Sequence, residues 1–264
     1  MSGKLVIIGG AEDQERRCTI LKAVLSLSGE ANPRVVIIAA ASTDPVEIGE
    51  NYEQVFKDLG AESVRLLKVP GRDIPRDDSA AAWLQEAAVV FLTGGDQLRL
   101  TSILGGSRLF RLLKERFKQG IILAGTSAGA SAMSDTMIIG GNAKEPPQRG
   151  LIQMSPGLGF LHGVLLDQHF AQRGRFGRLL AAVAFNPSLL GIGIDEDTAI
   201  VVRENRWLEV IGSFGITIID GSSLLHSNVS ETAPRETLTL SHFKLHILAQ
   251  GARFDLQERA VALH

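Results

Sequence analysis

Short apolar runs recur along the first half of the chain, at residues 5–8, 35–39, 64–67, 88–92 and 121–124. Each is four or five residues long and rich in Val, Ile and Leu. Continuous runs of this length suit strands buried on both faces, the habit of a parallel sheet. Between them, residues 19–27 and 48–59 read as helices, and Leu109, Phe110, Leu112, Leu113 and Phe117 fall at helical spacing in 109–118. Strand and helix in alternation predict right-handed βαβ units and an α/β fold, a three-layer α/β/α sandwich with a mostly parallel central sheet. After residue 195 the pattern changes: 198–202, 207–211, 215–219, 237–240 and 244–249 read as strands separated by short polar loops. They are predicted to add antiparallel strands to one edge of the main sheet. No linker rich in Pro, Ser and Gly divides the chain and no internal repeat is visible, so residues 1–264 read as one domain.

The segment Gly125-Thr126-Ser127-Ala128-Gly129 follows one of the buried runs and precedes small residues able to start a helix. A G-x-S-x-G at a strand-to-helix junction is the mark of a nucleophile elbow. The tight turn lifts the serine oxygen clear of the sheet, and small flanking residues let strand and helix cross closely. Ligands in such sheets bind at the carboxyl ends of the parallel strands. Residues 9–13, 41–43 and 93–97 fall there together with the elbow. The bland alternative is a plain turn, and Gly9-Gly10 reads as readily that way.

A serine nucleophile needs a base, and the base an orienting acid. Of His162, His169, His226, His242, His246 and His264, His169 stands out, placed after an apolar segment in Asp167-Gln168-His169-Phe170. The acid belongs to Asp195-Glu196-Asp197, which follows the Gly/Ile run 191–194, and spacing does not choose among the three. The resulting order, serine, histidine, acid, departs from the serine, acid, histidine of α/β-hydrolases. Restoring that order would need a pair such as Glu196 and His226. Ala128 and the Gly94-Gly95 turn are candidates to donate amides to an oxyanion.

Composition narrows the field. Hydrophobic residues make up 45% of the 264, enough for a large core, and the net charge of −2 gives no global pull toward nucleic acid or an acidic membrane. Cys18 is the only cysteine, which excludes a disulfide framework and a cysteine metal cluster. The apolar run at 5–8 is too short for a signal-peptide core, and no stretch approaches the ~20 apolar residues of a membrane span. A cytoplasmic location is the expectation.

Five segments, in order along roughly residues 4 to 250, resemble the signatures of the cyanophycinases. They are Ile7-Ile8-Gly9-Gly10-Ala11-Glu12-Asp13, Phe91-Leu92-Thr93-Gly94-Gly95-Asp96-Gln97, Gly125-Thr126-Ser127-Ala128-Gly129-Ala130, Asp167-Gln168-His169-Phe170 and Gly193-Ile194-Asp195-Glu196. The elbow alone is shared with the related dipeptidase E. The resemblance implies a fold like that of class I glutamine amidotransferases with a Ser127, His169, Glu196 triad, no metal or other cofactor, and a homodimer. It implies hydrolysis of cyanophycin, polyaspartate with arginine on each side chain, to β-Asp-Arg dipeptides. Arg173, Arg175 and Arg178 would then hold substrate carboxylates, bidentate guanidinium forks being suited to that task. Asp167, Asp96 and Glu12 would be available to a guanidinium, and Gln97 and Gln168 to backbone amides. An Asp-X dipeptidase and a non-catalytic ligand-binding relative are the alternatives. The bland reading of the three arginines is a solvated helix face.

Overall fold

The first half of the chain alternates as its apolar runs predict. In a computed structural model, which describes residues 3–69, 71–72, 79–141 and 145–262, it runs β1 (Lys4–Ile8), α1 (Thr19–Ser26), β2 (Arg34–Ile38), α2 (Pro45–Asp58), β3 (Ser63–Leu67), α3 (Ser79–Glu86), β4 (Val89–Leu92), α4 (Gln97–Leu104), α5 (Arg108–Lys118) and β5 (Ile122–Thr126). The second half continues with α6 (Ala128–Ser131), β6 (Ser134–Gly141), β7 (Ile152–Pro156), β8 (Leu161–Asp167), α7 (Phe176–Phe185), β9 (Leu190–Ile194), β10 (Thr198–Arg203), β11 (Trp207–Gly212) and β12 (Gly215–Asp220). Short strands β13 (His226–Ser227) and β14 (Leu240–Ser241) precede β15 (Lys244–Ala249), β16 (Arg253–Asp255) and β17 (Ala260–Val261). His264 lies outside the described residues.

Nine strands form one sheet in the order β17-β16-β11-β10-β1-β5-β4-β2-β3. It is parallel from β1 to β3 and antiparallel from β10 outward. A second sheet has the order β15-β12-β9-β8-β6-β7. The late strands therefore divide. β10 and β11 extend the edge of the main sheet as expected, whereas β12 and β15 build the second sheet. Of the expected strand at 237–240, Leu240 pairs within β14 against β13 and Thr237 makes a lone antiparallel bridge to Gln148. The split occurs at residues 213–214, where Ser213 donates to the Asp197 carbonyl and carries the chain from one sheet to the other. Alternation along a strand records which face is covered and carries no information about which sheet covers it.

One apolar cluster spans both sheets, joining Leu5, Ile7 and Leu123 to Leu166, Ile192 and Ile216. The opposite face of the main sheet is covered by α1 and α2 through Leu21, Val24, Tyr52 and Phe56. Helix α2 starts three residues earlier than its spacing predicts, because Asp44 accepts from the Glu47 amide and Pro45 occupies the first turn. Among the described residues no helix is long and apolar enough to cross a membrane. Among them, too, no group of three or more His, Cys, Asp or Glu is placed to hold a metal ion.

Candidate active site

The elbow is built by close approach. A Cβ at Gly125 would lie 2.8 Å from the Gly129 carbonyl oxygen, and one at Gly129 would lie 2.4 Å from that of Leu92. Only glycine lets β5 turn into α6 this tightly. Between them Ser127 adopts φ 52°, ψ −111°, a conformation that non-glycine residues seldom hold and that costs about 1–3 kcal/mol. Its side chain caps nothing in the helix, so the hydroxyl is left for another partner.

That partner is His169, which follows β8 in the second sheet. The Ser127 hydroxyl lies 3.1 Å from His169 Nε2, and His169 Nδ1 lies 2.6 Å from Glu196 Oε1. With Glu196 ionised, Nδ1 is the protonated nitrogen and Nε2 is free to accept from the serine. Ser127 also lies 3.5 Å from Gln168 Oε1, a weaker alternative acceptor. Three neighbouring acids, alike in sequence, do different things. Asp195 accepts from the Ala171 amide, just past the base. Glu196 takes the imidazole, and its own amide donates to Gln172 Oε1. Asp197 accepts from the Asp13 amide and from the Ser213 hydroxyl.

Strand β1 holds these parts in place. The carbonyl of Ile8 accepts from the Ser127 amide at 3.1 Å, that of Gly9 from His169 at 2.7 Å and that of Gly10 from Asp197 at 2.9 Å. Three consecutive carbonyls thus fix the nucleophile, the base and the neighbour of the acid. Gly10 has φ +98°, and a Cβ there would lie 2.4 Å from both Cε1 and Nε2 of His169. The reading of Gly9-Gly10 as a plain turn gives way to one in which the imidazole needs the space. The following loop is closed by Asp13, whose carboxylate accepts from the amides of Glu15, Arg16, Arg17 and Cys18. Hydrogen bonds led by those from Arg16 and Cys18 hold its pKa down to about 2.

Gly10→Ala is therefore expected to displace the imidazole and cut kcat about 100-fold, since misplacements near 1 Å are that costly. Gly29, at φ +79° with nothing within 4 Å among the described residues, supplies the control. Gly29→Ala should suffer similar backbone strain and keep its activity. Equal activity losses in the two variants would show that the imidazole contact is irrelevant.

Burial pushes the His169 pKa below the ordinary histidine value; the hydrogen bond to Glu196 pulls it up, while Arg173 and Arg175 push it down. The base must be neutral to work, so the acidic limb of kcat/KM against pH should have its midpoint below about 6.5. Glu196→Gln should move that midpoint lower still. In stability terms, the unfolded chain takes up this proton first as pH falls. The group's contribution is intact above the free-histidine range and is lost as pH drops from that range through the folded pKa. An acidic midpoint above 6.5 would contradict the electrostatics described here.

Other expected site residues are placed differently. Gly94 lies against the serine, with its would-be Cβ 3.4 Å from Ser127 Cβ. Gly95 is pressed on the Ala41 carbonyl, 2.2 Å from where a Cβ would sit. Ala128 opens α6, where the helix offers its amide no partner of its own. Asp96 caps α4 by accepting from Leu98 and Arg99, and Gln97 donates to the Ile138 carbonyl. Both side chains thus also hold local structure. Asp167, 1% exposed, accepts a bidentate pair from Arg178 at 2.6 and 2.5 Å and a further bond from Arg175 at 3.2 Å. Arg175 Nη1 also donates to the Gln168 carbonyl at 2.5 Å, and its Nε is buried without a partner. Arg175 and Arg178 are thus neither a solvated face nor open carboxylate forks. They brace the backbone leading to His169. Burial lowers the Arg175 pKa to about 10. Arg173 alone of the three is exposed.

Known proteins share this chain's sequence and fold. Residues 5–210 match the model for peptidase family S51. The chain is 42% identical over 258 residues to a cyanophycinase of Trichormus variabilis, covering 97% of this chain and 87% of that one. It is 38% identical over 256 residues to a cyanophycinase of Geminocystis herdmanii, covering 97% and 94%. A solved peptidase from an acI-B1 actinobacterium superposes with a TM-score of 0.66 at 22% identity, covering 92% of this chain and 97% of that one.

Proposed function

This chain belongs to peptidase family S51, and from that premise we propose that it is a serine peptidase that hydrolyses cyanophycin with Ser127, His169 and Glu196 as its triad. The observation that carries the reading is the continuous relay from the serine hydroxyl through both imidazole nitrogens to the carboxylate. Ser127 attacks the scissile carbonyl as His169 Nε2 takes its proton. Glu196 fixes the tautomer and stabilises the imidazolium. The amides of Ala128 and of Gly94 or Gly95 face the developing oxyanion. His169 then gives its proton to the leaving amine, and water, deprotonated by the same imidazole, hydrolyses the acyl-enzyme; β-Asp-Arg is the product of the cycle.

Among the arginines after the base, Arg173 is the exposed cation and the first to be assigned a substrate carboxylate, with the unpartnered Nε of Arg175 behind it. Gln168 stands beside the nucleophile for a substrate amide. Asp167 and Arg178 act through these two by holding them. A homodimer working in the cytoplasm belongs to the same reading, and sedimentation analysis tests the first part.

Incubation with purified cyanophycin followed by mass analysis of the products tests the whole. Release of β-Asp-Arg is the expected result. Cleavage confined to Asp-X dipeptides would make the protein a dipeptidase. Failure of a fluorophosphonate to label Ser127 would remove the serine peptidase altogether.

A further inference from the structure

The segment that leaves the base and the segment that carries the acid run side by side, and the bonds between them change character along the way. Strands β8 and β9 pair in parallel up to Asp167 and Gly193. Past that point the Phe170 amide donates to the Ile194 carbonyl at 3.1 Å, a bond between backbones. The next two rungs use side chains. The Ala171 amide donates to Asp195 Oδ1 at 3.0 Å, and the Glu196 amide donates to Gln172 Oε1 at 3.0 Å. Each segment thus lends one side chain and one amide to the other.

Glu196 needs such a hold. Its carboxylate lies 2.6 Å from His169 Nδ1, yet 32% of its side-chain surface is exposed, and it stands in the turn between β9 and β10 and not in a strand. A half-buried glutamate keeps much of its rotamer freedom unless its backbone is fixed. The amide of Asp195 donates to the Gly215 carbonyl and that of Asp197 to the Gly10 carbonyl. Between them, the amide of Glu196 is held by a side chain, that of Gln172. His169 at φ 45° and Asp197 at φ 46° both adopt the left-handed region, which non-glycine residues hold only where their surroundings dictate it. The short ladder is therefore closed at each end by a strained turn, with base and acid inside it.

We infer that Gln172 and Asp195 are positioning residues, a reciprocal clamp that sets the Glu196 carboxylate against the imidazole. The inference goes beyond the substrate assignment and rests on the triad reading only for the task that the carboxylate performs. Gln172 is exposed, so contact with substrate is the competing role. A substrate contact would act on KM, whereas a misplaced acid lowers kcat.

The test follows hydrolysis of cyanophycin and, without substrate, the low-field proton resonance of the His169 Nδ1–H bond to Glu196. Gln172→Leu and Asp195→Ala should each lower kcat about 10–100-fold, the scale of misplacements near 1 Å, and leave KM unchanged. Both should also move the acidic midpoint of kcat/KM down, because burial, with Arg173 and Arg175, depresses the imidazole pKa and the Glu196 bond opposes them. Asp195→Asn keeps the acceptor oxygen and should restore kcat to within about threefold of the unaltered enzyme. In a Glu196→Ala background, Gln172→Leu should cost less than about threefold more, since the carboxylate it serves is already gone. The resonance should weaken in Gln172→Leu and Asp195→Ala and persist in Asp195→Asn.

Unchanged kcat in Gln172→Leu, a loss confined to KM, or a loss undiminished in the Glu196→Ala background overturns the clamp. So does failure of Asp195→Asn to restore what Asp195→Ala removes. The Gln172→Leu results stand even if Asp195→Ala fails to fold. A resonance that responds to these variants in a protein that cleaves no cyanophycin sinks the substrate assignment and leaves the clamp standing. Full hydrolysis, with variants that alter neither kcat nor the resonance, sinks the clamp alone.

Discussion

Ser127→Ala is expected to lower kcat/KM on cyanophycin by at least about 10⁴-fold, with no loss of folded structure. The hydroxyl 3.1 Å from His169 is the only part of the relay that this change removes, and the cap of α6 does not depend on it. Because nucleophile and base act as one unit, Ser127→Ala combined with His169→Ala should be little worse than either alone. Glu196→Gln should cost somewhat less, about 10³–10⁴-fold, because it leaves the imidazole in place but favours the wrong tautomer. What survives in each variant is the work of the oxyanion donors and substrate binding. Turnover by Ser127→Ala within tenfold of the unaltered enzyme would require a different nucleophile and would end the scheme.

The second large effect lies under the site. Asp167→Ala should destabilise the protein by about 3–5 kcal/mol, the scale observed when one partner of a buried ion pair is removed. The change strands two guanidiniums, those of Arg175 and Arg178, each 7% exposed. Replacing pair and partner together with apolar residues, as in Asp167→Leu with Arg178→Leu, should recover part of that loss, because the cost comes from the orphaned charge. Urea unfolding of the two singles and the double gives the coupling directly. Asp167→Ala should also lower kcat, since Asp167 and Arg175 hold the Gln168 backbone immediately before the base. Additive losses, or an unchanged unfolding midpoint for Asp167→Ala, would show that this cluster carries no coupled charge.

The parallel half of the main sheet is legible in the sequence because strands buried on both faces must be apolar throughout. The second sheet is hidden for physical reasons. Its order β15-β12-β9-β8-β6-β7 departs from chain order, and the ladder from β6 to β7 shifts register between Ile138 and Gly140. Strand β9 reads Leu-Gly-Ile-Gly-Ile because side chains at Gly191 and Gly193 would collide with Val183, Leu179 and Phe170. Its glycines record packing partners that spacing alone does not reveal. At the site, the elbow and His169 can be read from local pattern. The choice of Glu196 over its neighbours cannot, because Asp197 turns at φ 46° and sends adjacent acids in different directions. Composition shows three acids and says nothing of where each points. The ion pair of Arg178, read in sequence as a substrate-carboxylate ligand or else a solvated charge, is hidden for a related reason. A charge two residues into a helix looks solvated until Asp167, at the end of a buried strand, is found beneath it.

The carbonyls of Ile8, Gly9 and Gly10 give the site a common frame of reference. Nucleophile and base come from different sheets, and the acid comes from the turn that passes between the sheets, so ordinary breathing between sheets would be expected to smear their separations. Tethered to one tripeptide, the nucleophile, the base and the residue next to the acid instead share one stretch of backbone. Residues 8–10 thus act as a ruler against which serine and imidazole are set, so a shift at the end of β1 would be felt by both at once.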